Sequence, residues 1–184
     1  NRVQRVHLLS TNVPGALLQE LYSHDGAGTL ITAEHYNDIR PATVDDVGGI
    51  ISLINPLEEQ EILVHRTREQ IELEIHNYDV IERDGFVIAC GALHPLKHKK
   101  IGEIACLAVH PDFQNEGHGN RLLKHIEQKA CSFELNSVFV LTTKALHWFH
   151  ENGYRKSSIQ ELPITKQITF NYQRNSRVYL KSFK

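Results

Sequence analysis

The chain has 184 residues, 41% of them hydrophobic, and 20 basic against 22 acidic side chains leave a net charge of -2. That length suits one compact domain plus a partial second element, and the near-neutral balance gives no reason to expect nucleic acid or a membrane as a partner, so an anionic ligand needs a local basic site. Cys90, Cys106 and Cys131 form no CxxC pair, and their odd number does not suit a disulfide framework; a reducing cytoplasm is the simpler reading. There is no apolar run of about 18 residues and no basic, apolar, small-residue pattern at Asn1, so neither a membrane span nor export is expected, and the absence of an initiator methionine, with no methionine anywhere, reads as a fragment of a longer chain.

Residues 1–37 differ in character from the rest of the chain. Val6 to Leu9 is a short apolar strand, and Asn12, Pro14 and Gly15 open a helix; "DGAGT" then makes a glycine turn. The helix carries an apolar face of Leu17, Leu18 and Leu21 that needs a partner. Either it packs on the main domain, or the segment is the tail of a preceding one.

From Ile39 the pattern becomes regular. "IRPAT" is a short strand, and Thr43 with Asp46 forms a capping box opening a helix through Ile54. "TREQIELEIHNY" places Ile71 and Ile75 among charges, as an amphipathic helix does. "DVIER" and "FVIACGALH" are strands joined by a hairpin turn at Asp84-Gly85. "IGEIACLAVH", apolar almost throughout, belongs at the centre of a sheet covered on both faces. Leu122, Leu123, Ile126 and Ala130 then mark a helix, "SVFVLTT" a buried strand, "ALHWFHENGY" a short helix ended by glycine, and "SRVYLKSF" a final strand. The order is β-α-α-β-β-β-α-β-α-β.

Between the central strand and its following helix lies "HPDFQNEGHGN". Gly117 and Gly119 let the backbone take positive φ and approach a ligand closely, and amides at a helix N-terminus suit phosphate. Arg121 and Lys124 add charge nearby. Two glycines alone equally fit an ordinary turn. A dinucleotide fold would instead put G-x-G-x-x-G after its first strand, whereas this turn follows the fourth.

"Q-x-x-G-x-G", beginning five residues after "CLAV" and leading into a Leu-Leu helix, resembles the acetyl-coenzyme A signature of the GCN5-related N-acetyltransferases. "WFHENGY" resembles their second signature. Within that superfamily, "ALLQELYSHDGAGTLI", "IRPATVDDVGGI", "PLEEQEILVHRTREQIE", "IGEIACLAVHPD", "VLTTKALHWFHENGY" and "NYQRNS" resemble the N-acetylglutamate synthase family over nearly the whole chain. The resemblance implies an α/β (α+β) fold of the GCN5-related N-acetyltransferase type, a mixed central sheet with helices on both faces. It implies that residues 1–37 are the remnant of an amino-acid-kinase-like domain and 38–184 the N-acetyltransferase domain. It further implies acetyl-CoA and L-glutamate as ligands, a role at the start of arginine synthesis, arginine feedback through the preceding domain, and a homo-oligomeric full-length protein.

Acetyl transfer to an amine needs the neutral amine, hence a general base. Glu103 is an acid inside an apolar strand, a placement costly unless it is paired or used, and the resemblance maps it to the family's base. Backbone amides of Cys106, Leu107, Ala108 and Val109 would bind the pantetheine arm and polarise the thioester. Gln114, Asn115, Glu116, Gly117, His118, Gly119 and Asn120 would cradle the pyrophosphate. Many superfamily members supply a tyrosine as acid for the leaving thiolate where this chain has Phe149, so the resemblance points instead to Thr142; its alternative is a plain strand residue. Arg66, Arg174 and Ser176 match the family's substrate-binding positions, and arginine forks suit glutamate's two carboxylates. The role of His94 stays open. His147 and His150 stand one helical turn apart, but no HExxH or acidic third ligand accompanies them, so no metal is expected. Cys106 reads as a buried strand residue, since direct transfer needs no covalent enzyme intermediate. Two other functions fit parts of the pattern: an acetyltransferase for another small amine, which for a polyamine needs acids where Arg66 and Arg174 stand, and a non-catalytic coenzyme-A-binding regulatory module, which has no use for Glu103.

Overall fold

The computed structural model describes residues 3, 5–23, 26–32 and 39–183. Contacts divide the chain into two units, Asn1–Asp38 and Ile39–Lys184. The boundary expected near residue 37 lies outside the described residues.

In the first unit, β1 (Arg5–Leu8) pairs antiparallel with β2 (Thr29–Thr32), and α1 (Ala16–Tyr22) lies between them in sequence. One carboxylate ties the unit together: Glu20 accepts from the amides of Ala27 (2.7 Å) and Gly28 (3.0 Å) and meets His7 Nδ1 at 2.6 Å. Leu17, Leu18 and Leu21 are exposed. The strand β2 was not foreseen, because its four residues directly follow the glycine turn.

The second unit is a seven-stranded mixed sheet in the order β3-β4-β5-β6-β7-β9-β8, with only β6 and β7 parallel. The strands are β3 (Ile39–Pro41), β4 (Tyr78–Arg83), β5 (Phe86–Leu96), β6 (Ile101–Val109), β7 (Ser137–Thr142), β8 (Arg155–Ser157) and β9 (Arg177–Ser182). Helices α2 (Val47–Glu59) and α3 (Arg68–Leu73) precede β4; α4 (His118–Ser132) joins β6 to β7; α5 (Leu146–Glu151) and α6 (Ile164–Ile168) flank β8. As the apolar run "IGEIACLAV" predicts, β6 sits in the middle of the sheet.

Alternation along the strands builds a core on each face. Val80, Cys90, Ala92, Cys106 and Ala108 pack with Ile50, Leu53 and Ile54 of α2 and Ile71 of α3. Ile81, Ile88, Leu93 and Ile104 pack on the opposite side with Leu122, Leu123 and Ile126 of α4. Helices therefore cover both faces. A third cluster, Ile101, Phe139, Leu162, Val178 and Leu180 with Phe170 packed against it, fixes the segment around α6.

Several boundaries differ from the periodicity. The capping box of Thr43 and Asp46 opens a single 3-10 turn before α2, and α2 runs past Ile54 to Glu59 with Pro56 inside it. The helix expected over "TREQIELEIHNY" stops at Leu73 and becomes a 3-10 turn. β8 and α6 were missed, being only three and five residues long.

The entry to α2 is locked electrostatically. Arg40 on edge strand β3 donates to both oxygens of Asp46 (2.7 and 2.8 Å) and, through Nε, to Glu82 at 3.1 Å, while Asp46 also receives the Thr43 amide at 2.7 Å. The hydrogen bonds from Arg40 lower the Asp46 pKa from 3.8 to about 2. A carboxylate with a depressed folded pKa stabilises the fold above its unfolded value and loses that contribution as pH falls through the folded one. Stability should therefore decline from about pH 4 down to about pH 2. Asp46→Asn should cost about 1–3 kcal/mol at neutral pH and flatten that acid limb, measured by urea unfolding across pH; an unchanged limb would remove Asp46 from the account.

Candidate active site

The central pair of strands comes apart. β6 and β7 are paired from Ile101–Ser137 to Ile104–Val140 and no further, although β6 runs on to Val109 and β7 to Thr142. The cause lies on the other side of β6, where the register with β5 shifts between Cys90 and Ala92. Two β6 residues, Cys106 and Leu107, occupy the place opposite Gly91, and Cys106 takes φ 50. Such a bulge bends its strand and re-aims the residues beyond it. The β7-facing edge of β6 beyond Ile104 is thus left without a strand partner.

A cavity of about 610 Å³ occupies the opening. It is lined by Cys106, Leu107, Ala108 and Val109 from β6, by Thr142 from β7, by Trp148 and Phe149 from α5, and by residues 114–120 except Glu116. At its mouth Gly117 adopts φ 82, which sets the chain into α4, and the first hydrogen bond within the helix runs from the Arg121 amide to the Gly117 carbonyl at 3.0 Å. The amides of residues 118–120 therefore precede any intrahelical acceptor and are placed to receive an anion. Glu116 is kept off this cradle, its carboxylate lying 3.1 Å from Nε2 of the buried His118. Arg121 and Lys124 are exposed on α4.

Phe149 is buried with its ring 4.9 Å from that of Trp148 and 5.4 Å from that of Tyr154. The Tyr154 hydroxyl is engaged by Glu127 at 2.9 Å. Thr142, buried and on the cavity wall, donates its hydroxyl to the Lys144 carbonyl. It is a hydroxyl at the place where the aromatic helix offers none.

A second cavity, of about 330 Å³, meets the first at Leu141, which lines both. Glu103, Arg66, Arg174 and Ser176 line it, four residues drawn together from distant stretches of sequence. Arg66 approaches Glu74 at 3.7 Å, and Arg174 donates to the Ile62 carbonyl, yet the Nε of each is buried with no hydrogen-bond partner. Burial lowers the pKa of Arg174, and the nearby Arg66 charge adds to the effect. Unpaired buried donors on two guanidinium groups are what a site for carboxylates requires.

Sequence reasoning left His94 without a role and did not single out Lys166. Both line this cavity. His94 stands opposite Glu103 across the β5–β6 ladder, its Nε2 is buried without a partner, and burial lowers its pKa. Lys166 on α6 places Nζ 2.5 Å from Glu103 Oε2. No periodicity marks Lys166, because a five-residue helix presents too little pattern. Cys106 is buried between the arginine side and the strand opening, with Tyr78 donating to its sulfur at 3.6 Å. Burial pushes its thiol pKa up, which suits a neutral wall residue rather than a nucleophile. His147 pairs with Glu151 at 3.2 Å, and among the described residues no group of three or more potential metal ligands occurs.

Comparison with known proteins bears on the fold. Residues 74–156 match the acetyltransferase (GNAT) domain model. An amino-acid acetyltransferase of Serratia proteamaculans is 49% identical over 97% of this chain and 40% of its own length. N-acetylglutamate synthase of Neisseria gonorrhoeae, solved with coenzyme A and N-acetyl-glutamate, matches 99% of this chain and 43% of its own at 41% identity and a TM-score of 0.78. The same enzyme with coenzyme A and L-arginine gives 40% identity and a TM-score of 0.89, over 98% of this chain and 41% of its own. The chain has the GNAT acetyltransferase fold. It spans about two-fifths of the length of these relatives.

Within a GNAT domain the Gly117 turn has a specific consequence. A Cβ at residue 117 meets nothing within 4 Å, so any effect of Gly117→Ala comes from the left-handed backbone it must hold. The penalty is roughly 1–2 kcal/mol. An alanine turn that relaxes out of this conformation has to be restored on binding, so calorimetric titration with coenzyme A should show affinity lowered by up to about tenfold, whereas unchanged affinity would detach the left-handed turn from coenzyme binding.

Proposed function

We propose that the chain catalyses acetyl transfer from acetyl-CoA to the α-amine of L-glutamate, giving N-acetyl-L-glutamate and CoA, the opening step of arginine biosynthesis. The observation that carries this reading is the second cavity: a carboxylate flanked by two arginines with unpaired buried nitrogens, sharing a wall with the strand opening. The N-acetyl-glutamate bound to the Neisseria synthase is in keeping with it.

Acetyl-CoA, when bound, supplies a carbonyl activated as a thioester. The open edge of β6 over residues 106–109 fits its pantetheine arm by strand-like hydrogen bonding, and the turn at 114–120 fits its pyrophosphate. Amides of the same edge polarise the carbonyl. Arg66 and Arg174 hold the two carboxylates of glutamate, with Ser176 as a further donor. Glu103 removes the proton that keeps the amine from attacking. Thr142 turns its hydroxyl from the Lys144 carbonyl to the departing sulfur.

A polyamine would meet Arg66 and Arg174 as like charges, so the cavity disfavours that acceptor. We further read residues 1–37 as the tail of a preceding kinase-like domain, a reading supported by the exposed leucine face of α1. By the same resemblance the full-length protein is a cytoplasmic homo-oligomer. Among the described residues no helix is long and apolar enough to cross a membrane.

Thiol release from acetyl-CoA with a panel of amines tests the function: turnover is expected with glutamate, and its absence in the full-length protein contradicts the reading. Glu103→Gln should lower kcat at least about 10²-fold with coenzyme A binding retained. Arg174→Ala should raise KM for glutamate by about tenfold or more. Full activity in Glu103→Gln would assign the base elsewhere.

A further inference from the structure

Five charged side chains dominate the acceptor cavity: Arg66, Arg174 and Lys166 against Glu74 and Glu103; His65 on its rim is already matched by Glu58 at 2.7 Å. The two arginines retain unpaired nitrogens. Of the three cations only Lys166 is in close contact with a carboxylate, and that carboxylate is the one proposed as base. Its Nζ at 2.5 Å from Glu103 Oε2 stands where an acceptor's own ammonium has to come. Leu162 and Phe170, packed in the third core cluster, anchor the chain on either side of α6. The lysine side chain itself is about one-third exposed, against 12% for that of Glu103, so its flexible stem can swing while the backbone and the carboxylate stay in place.

We propose that Lys166 is a specificity-determining residue that occupies the acceptor-amine position at Glu103 and yields it only to an acceptor whose second carboxylate draws the lysine away. This inference rests on the reading of the cavity as a glutamate site with Glu103 as base.

Charge matching supports the exchange. With His94 uncharged, three cations face two carboxylates in the cavity, an excess of one positive charge. Glutamate brings one ammonium and two carboxylates. Four cations then face four anions, and with Glu103 as base the ammonium takes Glu103, so that the displaced Lys166 joins Arg66 and Arg174 around Glu74 and the substrate carboxylates. Glutamine, of the same shape, lacks the second carboxylate. It leaves the excess charge in place and Lys166 on Glu103, so its amine is not deprotonated. The second carboxylate therefore governs turnover as well as binding. No bond is made or broken at Lys166; one ion pair is exchanged for another.

Two measurements on the chain test this. In the first, the side-chain ammonium signal of Lys166, assigned by its disappearance in Lys166→Arg, is followed by 15N NMR with coenzyme A present. It should shift on adding glutamate and stay in place on adding glutamine; a signal unmoved by saturating glutamate, or moved equally by both, overturns the proposal. In the second, Lys166→Met should raise KM for glutamate roughly tenfold or more and bring the ratio of kcat for glutamate to kcat for glutamine toward one, while Lys166→Arg restores both. A merely structural role would lower both kcat values together and leave their ratio unchanged, which also overturns the proposal. Failure of the underlying function looks different: wild-type protein then turns over no glutamate, while the NMR signal still reports whether Lys166 responds to it.

Discussion

The functional architecture depends on one break in hydrogen bonding, the failure of β6 and β7 to stay paired beyond Ile104 and Val140. A buried sheet pairs its backbone polar groups almost completely. Here a β-bulge, with Cys106 at φ 50 opposite Gly91, turns the second half of β6 away from its parallel neighbour. The space that a continuous ladder would have filled becomes a cleft with a ready-made row of backbone groups. The helix after this strand is aimed by Gly117 so that its first amides open at the end of the same cleft. A break in the sheet and a helix start are thereby directed at one ligand.

Charge is handled in two ways in this molecule. Away from the clefts, several ions are paired within the protein: Arg40 with Asp46 and Glu82, Lys129 with one oxygen of the buried Asp79 at 2.7 Å, Lys181 with Glu127 at 2.7 Å. In the acceptor cavity the matching is incomplete, with unpaired nitrogens on Arg66, Arg174 and His94. Leaving buried donors unsatisfied costs stability, so a cluster of them around one cavity marks a place where the missing partner comes from outside. The size of the cavity, about 330 Å³, and its surplus of cations fit a small dianionic acceptor.

How much of this could be read from the sequence varied with the length of the pattern involved. The central strand announced itself through "IGEIACLAV", since only a strand buried on both faces is apolar at nearly every position, and α4 through Leu122, Leu123 and Ile126. Short elements did not: β8 and α6 are held by contacts with β9 and the third core cluster rather than by any local period. The lining of the proposed coenzyme cleft was legible as one group because its residues are nearly contiguous, from Cys106 to Asn120. The acceptor side was not, because Arg66, Glu103, Lys166 and Arg174 meet only through the fold, so Arg66 and Arg174 were found by family resemblance and Lys166 was not found at all. Glu103 was recognised from the sequence as an acid in an apolar strand, but its lysine partner sits far along the chain, where local reasoning does not reach.

The central claim is that the strand opening and the cationic cavity, joined at Leu141, are two halves of a single active site. Its most direct test is the affinity of a bisubstrate compound in which the sulfur of coenzyme A is linked through an acetyl bridge to the amine of L-glutamate. If the cavities are continuous, calorimetry will find it bound at least about 10²-fold more tightly than coenzyme A, because the tethered glutamate reaches Arg66 and Arg174 at high effective concentration. Affinity no better than that of coenzyme A would contradict the account.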